Sequence, residues 1–99
     1  MLIRSQDKRV IVNFDNICTV SAFPEKDSED IYVEDGTGSL MVGRYSTKVK
    51  AMKVLDMIQE AYSEYQIMLN FSVSYLHEFK EKTDGFAIFQ MPDDSEVEV

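Results

Sequence analysis

The chain has 99 residues, with 10 Lys and Arg against 18 Asp and Glu, a formal net charge of -8 and 44% apolar residues. That supports one domain with a modest core, and it is too apolar for wholesale disorder. A single Cys excludes an internal disulfide and falls short of a zinc site, and a pI near 4.5 argues against ordinary nucleic-acid or anionic-membrane binding.

The opening segment, MLIRSQDKR, has no apolar stretch of the kind a signal peptide carries, and no apolar run approaches the roughly 18 residues of a membrane span. A cytoplasmic protein is expected. Residues 2–4 and 9–14 read as two strands joined by the polar Ser5-Gln6-Asp7-Lys8. Asp15-Asn16 is a turn pair, and residues 17–23 form a third strand closed by Pro24. Residues 25–30, EKDSED, read as a solvated loop without an apolar anchor. Residues 31–33 and 40–45 are strands around Asp35-Gly36-Thr37-Gly38, a turn with two residues able to take positive φ.

The clearest signal lies in residues 46–65. Ser46 or Thr47 offers an N-cap. Ala51, Val54, Leu55, Ile58, Ala61, Tyr62 and Tyr65 then recur at helical spacing and make one apolar stripe. Lys48, Lys50 and Lys53 precede Asp56, Glu60 and Glu64, opposite to what the helix dipole prefers. A tertiary partner explains that order, with the acidic tail placed near Lys48 and Lys50. Residues 66–75 alternate with period two and read as a strand. A short helix at 75–82, a turn at 83–85 and a strand at 86–89 follow. Residues 93–99 read as an acidic, mobile tail.

The fold class is therefore α+β. An antiparallel meander of about five short strands packs against one long amphipathic helix, followed by a strand, a short helix and a last strand. The domain covers residues 1–92. The expected core comprises Ile11, Ile17, Val20, Val33, Leu40, Val42, Val54, Leu55, Ile58, Tyr62, Leu69, Phe71 and Phe89.

No catalytic, metal or cofactor set emerges. His77 is the one histidine, without a nucleophile and orienting carboxylate at hand, and reads as a surface residue. Cys18 lies in a strand-like run and reads as a small hydrophobe. The run Glu25, Asp27, Glu29, Asp30 lacks the central Gly of an EF-hand loop. Residues 35–39 lack the Gly-Lys-Ser/Thr ending of a phosphate loop. Arg44, Lys48, Lys50 and Lys53 form a small basic patch at the helix start, where an anion could sit.

IRSQDK with VNFDNI close behind, GRYSTKVKAMKVLDMIQEAY, and FQMPDDSEVEV together resemble a family of small uncharacterised proteins of Gram-positive bacteria, their phages and mobile elements. Ser5, Gln6, Tyr45, Ser46, Thr47, Leu55, Ile58, Gln59, Phe89, Gln90, Met91 and Pro92 carry the resemblance, over nearly the whole chain. Val49 departs from it, standing where that pattern tends to carry Glu. The resemblance implies a mobile-element accessory protein in a bacterial cytoplasm. Small acidic proteins of that setting often block host nucleases, as anti-CRISPR proteins do.

The expected function is thus binding of a bacterial protein, a basic nucleic-acid enzyme being the leading candidate. Partial charge mimicry of DNA would act through Glu25, Asp27, Glu29, Asp30, Glu34, Asp35, Asp56, Glu60 and Glu64. The alternative is a self-associating module, a homodimer, using a strand edge or the Met52/Met57 side of the helix. An enzyme or small-ligand site at Arg44 and the helix start ranks third.

Overall fold

The computed structural model describes residues 1–69 and 88–99. The fold is α+β, and the six strands among the described residues form two sheets instead of one meander. In the first sheet, β1 (Leu2–Arg4) lies between β2 (Ile11–Asn13) and β6 (Ile88–Gln90). The β1–β2 pair is antiparallel, and the β1–β6 pair is parallel. The second sheet is antiparallel throughout, in the order β3 (Thr19–Pro24), β4 (Glu29–Glu34), β5 (Ser39–Tyr45). A short 3-10 turn, Phe14–Asn16, separates the sheets, with Asn13 accepting from the Asp15 N–H.

The polar loops act as turns through their own side chains. Asp7 accepts from the Ser5 hydroxyl at 2.6 Å and from the Arg9 N–H at 3.0 Å. The Arg4 guanidinium donates to the Lys8 carbonyl, which fixes Lys8 at φ 65°. Between β4 and β5, Asp35 accepts from the N–H and hydroxyl of Thr37 and from the Gly38 N–H. Gly36 alone takes the positive φ that this turn requires, at 94°.

The helix α1 (Lys48–Leu69) begins as expected, with the Thr47 hydroxyl accepting from the Lys50 N–H at 3.2 Å. Ala51, Val54 and Ile58 are buried against the second sheet. Each fully buried aliphatic side chain of this size stabilises by roughly 1.5–3 kcal/mol. The helix continues through residues 66–69, where a strand was expected. Ile67 and Leu69 are exposed, so the apolar alternation there does not mark a buried strand face. The remainder of that strand, the 75–82 helix, the 83–85 turn, Phe71 and His77 lie outside the described residues. The last strand is confirmed at Ile88–Gln90.

The core joins both sheets to the helix: Met1, Ile3, Ile31, Val33, Val42, Tyr45, Ala51, Val54, Ile58, Met91 and Val97. Ile11, Leu40 and Leu69 are exposed instead. Ile17, Val20, Leu55, Tyr62 and Phe89 pack around the buried cluster, and Phe14 and Tyr62 stack at 4.9 Å. The acidic tail belongs to this fold. A 3-10 turn at Asp94–Glu96 carries it across the helix start and buries Val97. Asp94 accepts from the N–H and hydroxyl of Ser46, and the Lys50 ammonium donates to its carbonyl and carboxylate. This is the tertiary partner expected for Lys50.

Candidate partner-binding surface

The three segments that carry the family resemblance are far apart in sequence and meet in space. The Gln6 N–H donates to the Val42 carbonyl at 2.8 Å. The Gln6 amide oxygen accepts from the Arg44 N–H at 2.9 Å, and its NH2 donates to the carbonyls of Arg44 and Pro92. Gln6 therefore imitates a strand along the outer edge of β5. From the third segment, the Gln90 amide donates to the Ser5 carbonyl. The buried Tyr45 hydroxyl donates to the Pro92 carbonyl at 2.8 Å, and burial raises its pKa.

Gly43 completes this node. A Cβ there would sit 2.9 Å from Tyr45 Cε2, 3.0 Å from Met91 Cε and 3.1 Å from the Tyr45 hydroxyl oxygen. Met91 could shift, but the Tyr45 ring is held by its hydrogen bond. The conspicuous residues of the resemblance thus weld the two sheets together.

The nine expected contact carboxylates do not form one surface. Asp56, Glu60 and Glu64 are exposed along the side of α1 turned away from the second sheet. Four-residue steps place them about 6 Å apart along the axis. Glu29 is half-buried and belongs to β4, not to a loop. Asp35 is spent on its own turn, and Thr37 holds its carboxyl below the usual range.

Asp30 overturns the expectation of a solvated acidic loop most clearly. Its side chain is 1% exposed, sealed beneath Arg44. The guanidinium of Arg44 donates through Nε at 3.1 Å and Nη2 at 3.0 Å to the two carboxylate oxygens, and Ser28 donates at 2.8 Å. Arg44 lowers the Asp30 pKa, which burial alone would raise. With Arg44 paired to Asp30 and Lys50 to Asp94, the basic patch retains Lys48 and Lys53. Both line a groove of about 530 Å³ together with Val49, Met52, Asp56, Glu98 and Val99.

The Asp30–Arg44 pair leads to the face of the second sheet opposite α1. Register places Ser21 and Met41 on either side of Tyr32, and Phe23 and Arg44 on either side of Asp30. Phe23 is 51% exposed and Met41 40%. The Phe23 and Tyr32 rings meet edge to face at 6.0 Å. The Tyr32 hydroxyl points toward Glu25, and the Thr19 hydroxyl toward Glu34, each at 3.5 Å. Tyr32 is itself pushed upward in pKa by desolvation, with Glu25 adding to the effect. Glu25 and Glu34 thus bracket a Phe–Tyr–Met stripe in which Phe23 and Met41 are exposed and Tyr32 is half-buried, while Asp27 stands at the adjoining hairpin tip. Periodicity did not single out this stripe, because Phe23 precedes a proline and Met41 alternates imperfectly with its neighbours.

Cys18 is exposed, contrary to its reading as a core residue. Among the described residues, no group of three or more His, Cys, Asp or Glu side chains could hold a metal ion, and no helix is long and apolar enough to cross a membrane. No known protein family, curated protein or solved structure matches the chain.

Proposed function

We propose that this chain is a non-enzymatic, acidic protein-binding module that docks on a basic bacterial protein through the outer face of its second sheet. The observation that carries this reading is the stripe of exposed Phe23 and Met41 on either side of the half-buried Tyr32, beside the Arg44–Asp30 pair and bracketed by Glu25 and Glu34. Aromatic residues, Met and Arg are enriched at protein interfaces and supply most binding hot spots. The net charge of -8 favours a basic partner and speeds encounter with it.

The setting is the one implied by the resemblance: a phage or mobile-element accessory protein in the bacterial cytoplasm. Inhibition of a nucleic-acid enzyme, in the manner of an anti-CRISPR protein, is the action this setting favours. Charge mimicry by the helix row is secondary. Its carboxylates stand about 6 Å apart, whereas one DNA strand presents a phosphate every 3.4 Å of axis. Lys53 also adjoins the row.

Tagged protein would be incubated with nuclease-treated lysate of a Gram-positive host and washed with rising salt. Wild type is expected to retain one basic nucleic-acid enzyme that is released as salt increases. A Phe23→Thr/Met41→Thr variant should lose it, and an Asp56→Lys/Glu60→Lys/Glu64→Lys variant should keep it. Loss of the partner only in the helix variant, or no partner for wild type, would overturn the reading.

A further inference from the structure

The second sheet has two edges, and the chain treats them differently. Gln6 occupies the outer edge of β5, taking the N–H and carbonyl of Arg44 and the carbonyl of Val42. Among the described residues, no strand or side chain does the same for β3. Exposed strand edges invite pairing with another chain unless they are blocked.

The backbone groups on the β3 edge follow from its register with β4. The Glu25 N–H donates to the Ser28 carbonyl, which makes that pair hydrogen-bonded. Antiparallel pairs alternate, so Phe23↔Asp30, Ser21↔Tyr32 and Thr19↔Glu34 are the hydrogen-bonded pairs of the ladder. The N–H and carbonyl groups of Val20 and Ala22 therefore point away from β4. Pro24 points the same way and has no N–H to offer. At the other end the Cys18 N–H is already given to the Glu34 carbonyl at 2.7 Å.

These positions are symmetric. Val20 and Ala22, whose outward donors meet no partner among the described residues, flank Ser21, and Cys18 and Pro24, which have none to give, stand equally far from it. An antiparallel copy of the same strand, related by a two-fold axis through Ser21, gives each outward N–H and carbonyl of Val20 and Ala22 a partner. We infer that β3 pairs with β3 of a second copy of this chain, in the register Val20↔Ala22, with the two Ser21 residues facing each other on the axis.

Each Val20↔Ala22 pair exchanges both of its N–H···O bonds. Phe23 falls opposite Thr19 of the second copy, so no like charges oppose each other within the ladder. The result is one sheet of six strands. It brings together the two grooves of about 520 Å³ beside Phe14, Leu55 and Tyr62, which adjoin Val20. Both Phe23–Tyr32–Met41 stripes end on the same face of that sheet. The inference stands independently of the proposed partner, and it is read without one.

Sedimentation velocity across a micromolar concentration series is expected to give a species of about twice the 11.4 kDa chain mass. It should persist or strengthen with salt, because both copies are acidic and salt screens their repulsion. Residues facing across a non-hydrogen-bonded pair lie about 4.5 Å apart at Cα, inside the disulfide range. In a Cys18→Ser background, Ser21→Cys should therefore link two chains on oxidation, whereas Ser39→Cys, on the far strand of the sheet, should not. Ala22→Pro removes only an outward donor, which an edge strand tolerates. It should give a folded monomer by far-UV circular dichroism and mass. A monomer for wild type throughout the series would overturn the pairing. So would equal crosslinking at Ser21→Cys and Ser39→Cys.

Discussion

The sheet-joining node and the outer face of the second sheet are built in opposite ways. At the node, Gln6, Gly43, Tyr45 and Met91 are buried or half-buried, and both polar atoms of the Gln6 side chain meet backbone partners. On the outer face, Phe23 and Met41 stand in solvent, and the hydroxyls of Thr19 and Tyr32 reach their carboxylates only at 3.5 Å, near the limit of a hydrogen bond. The residues at the node are therefore the ones that hold the two sheets together. Residues left loosely tied and apolar are the ones available to a partner.

The sharpest way to break this contrast is Gly43→Ala. The added methyl has less than 3 Å to the Tyr45 ring, so the node must open or the strand shift. Overpacking of this kind costs about 1–3 kcal/mol, read as a lower urea midpoint at unchanged slope. Tyr45→Phe comes next. It removes the shorter of the two hydrogen bonds to the Pro92 carbonyl, which keeps the Gln6 amide, and is expected to cost about 0.5–1.5 kcal/mol by the same measurement.

Arg44→Ala uncovers the dependence of the buried Asp30 on its partner. Thr substitutions on the outer face are expected to cost less. The Asp30 carboxyl is held below its ordinary pKa by Arg44, so the stability from that pair is present above about pH 4 and is lost as pH falls through the depressed value. The wild type and Arg44→Ala should therefore differ at pH 7 and converge in urea melts near pH 3. Asp94→Asn is expected to have a smaller effect of the same sign. The Ser46 N–H lowers the Asp94 pKa, and the tail should leave the helix start as acid protonates it. Loss of nuclear Overhauser contacts between Val97 and the core at pH 3, retained at pH 7, would report that release.

Much of this division could be read from local pattern, and part of it could not. The Asp35–Gly38 turn, the Thr47 cap and the apolar stripe from Ala51 to Ile58 follow from short-range chemistry and stand where expected. The separation into two sheets depends on parallel pairing of β1 with β6, more than 80 residues away, and no local period encodes it. Asp30 read as a loop carboxylate because its cation lies 14 residues away on another strand. Tyr45 and Met91 were not placed in the core for the same reason: their burial follows from Gly43 and Pro92 meeting them across the node. The nine carboxylates were grouped by charge, and geometry divides them among a helix side, two hairpin ends and one buried pair.

The division of labour between node and face is tested most directly by urea unfolding of two variants beside wild type. One adds a single methyl at the node, Gly43→Ala. The other removes an aromatic ring and a thioether from the face while keeping β-branched strand residues, Phe23→Thr/Met41→Thr. The account predicts that the added methyl costs more, about 1–3 kcal/mol, while the face variant stays within about 0.5 kcal/mol of wild type. Equal losses, or a larger loss for the face variant, would contradict it and assign the Phe–Tyr–Met stripe to the fold.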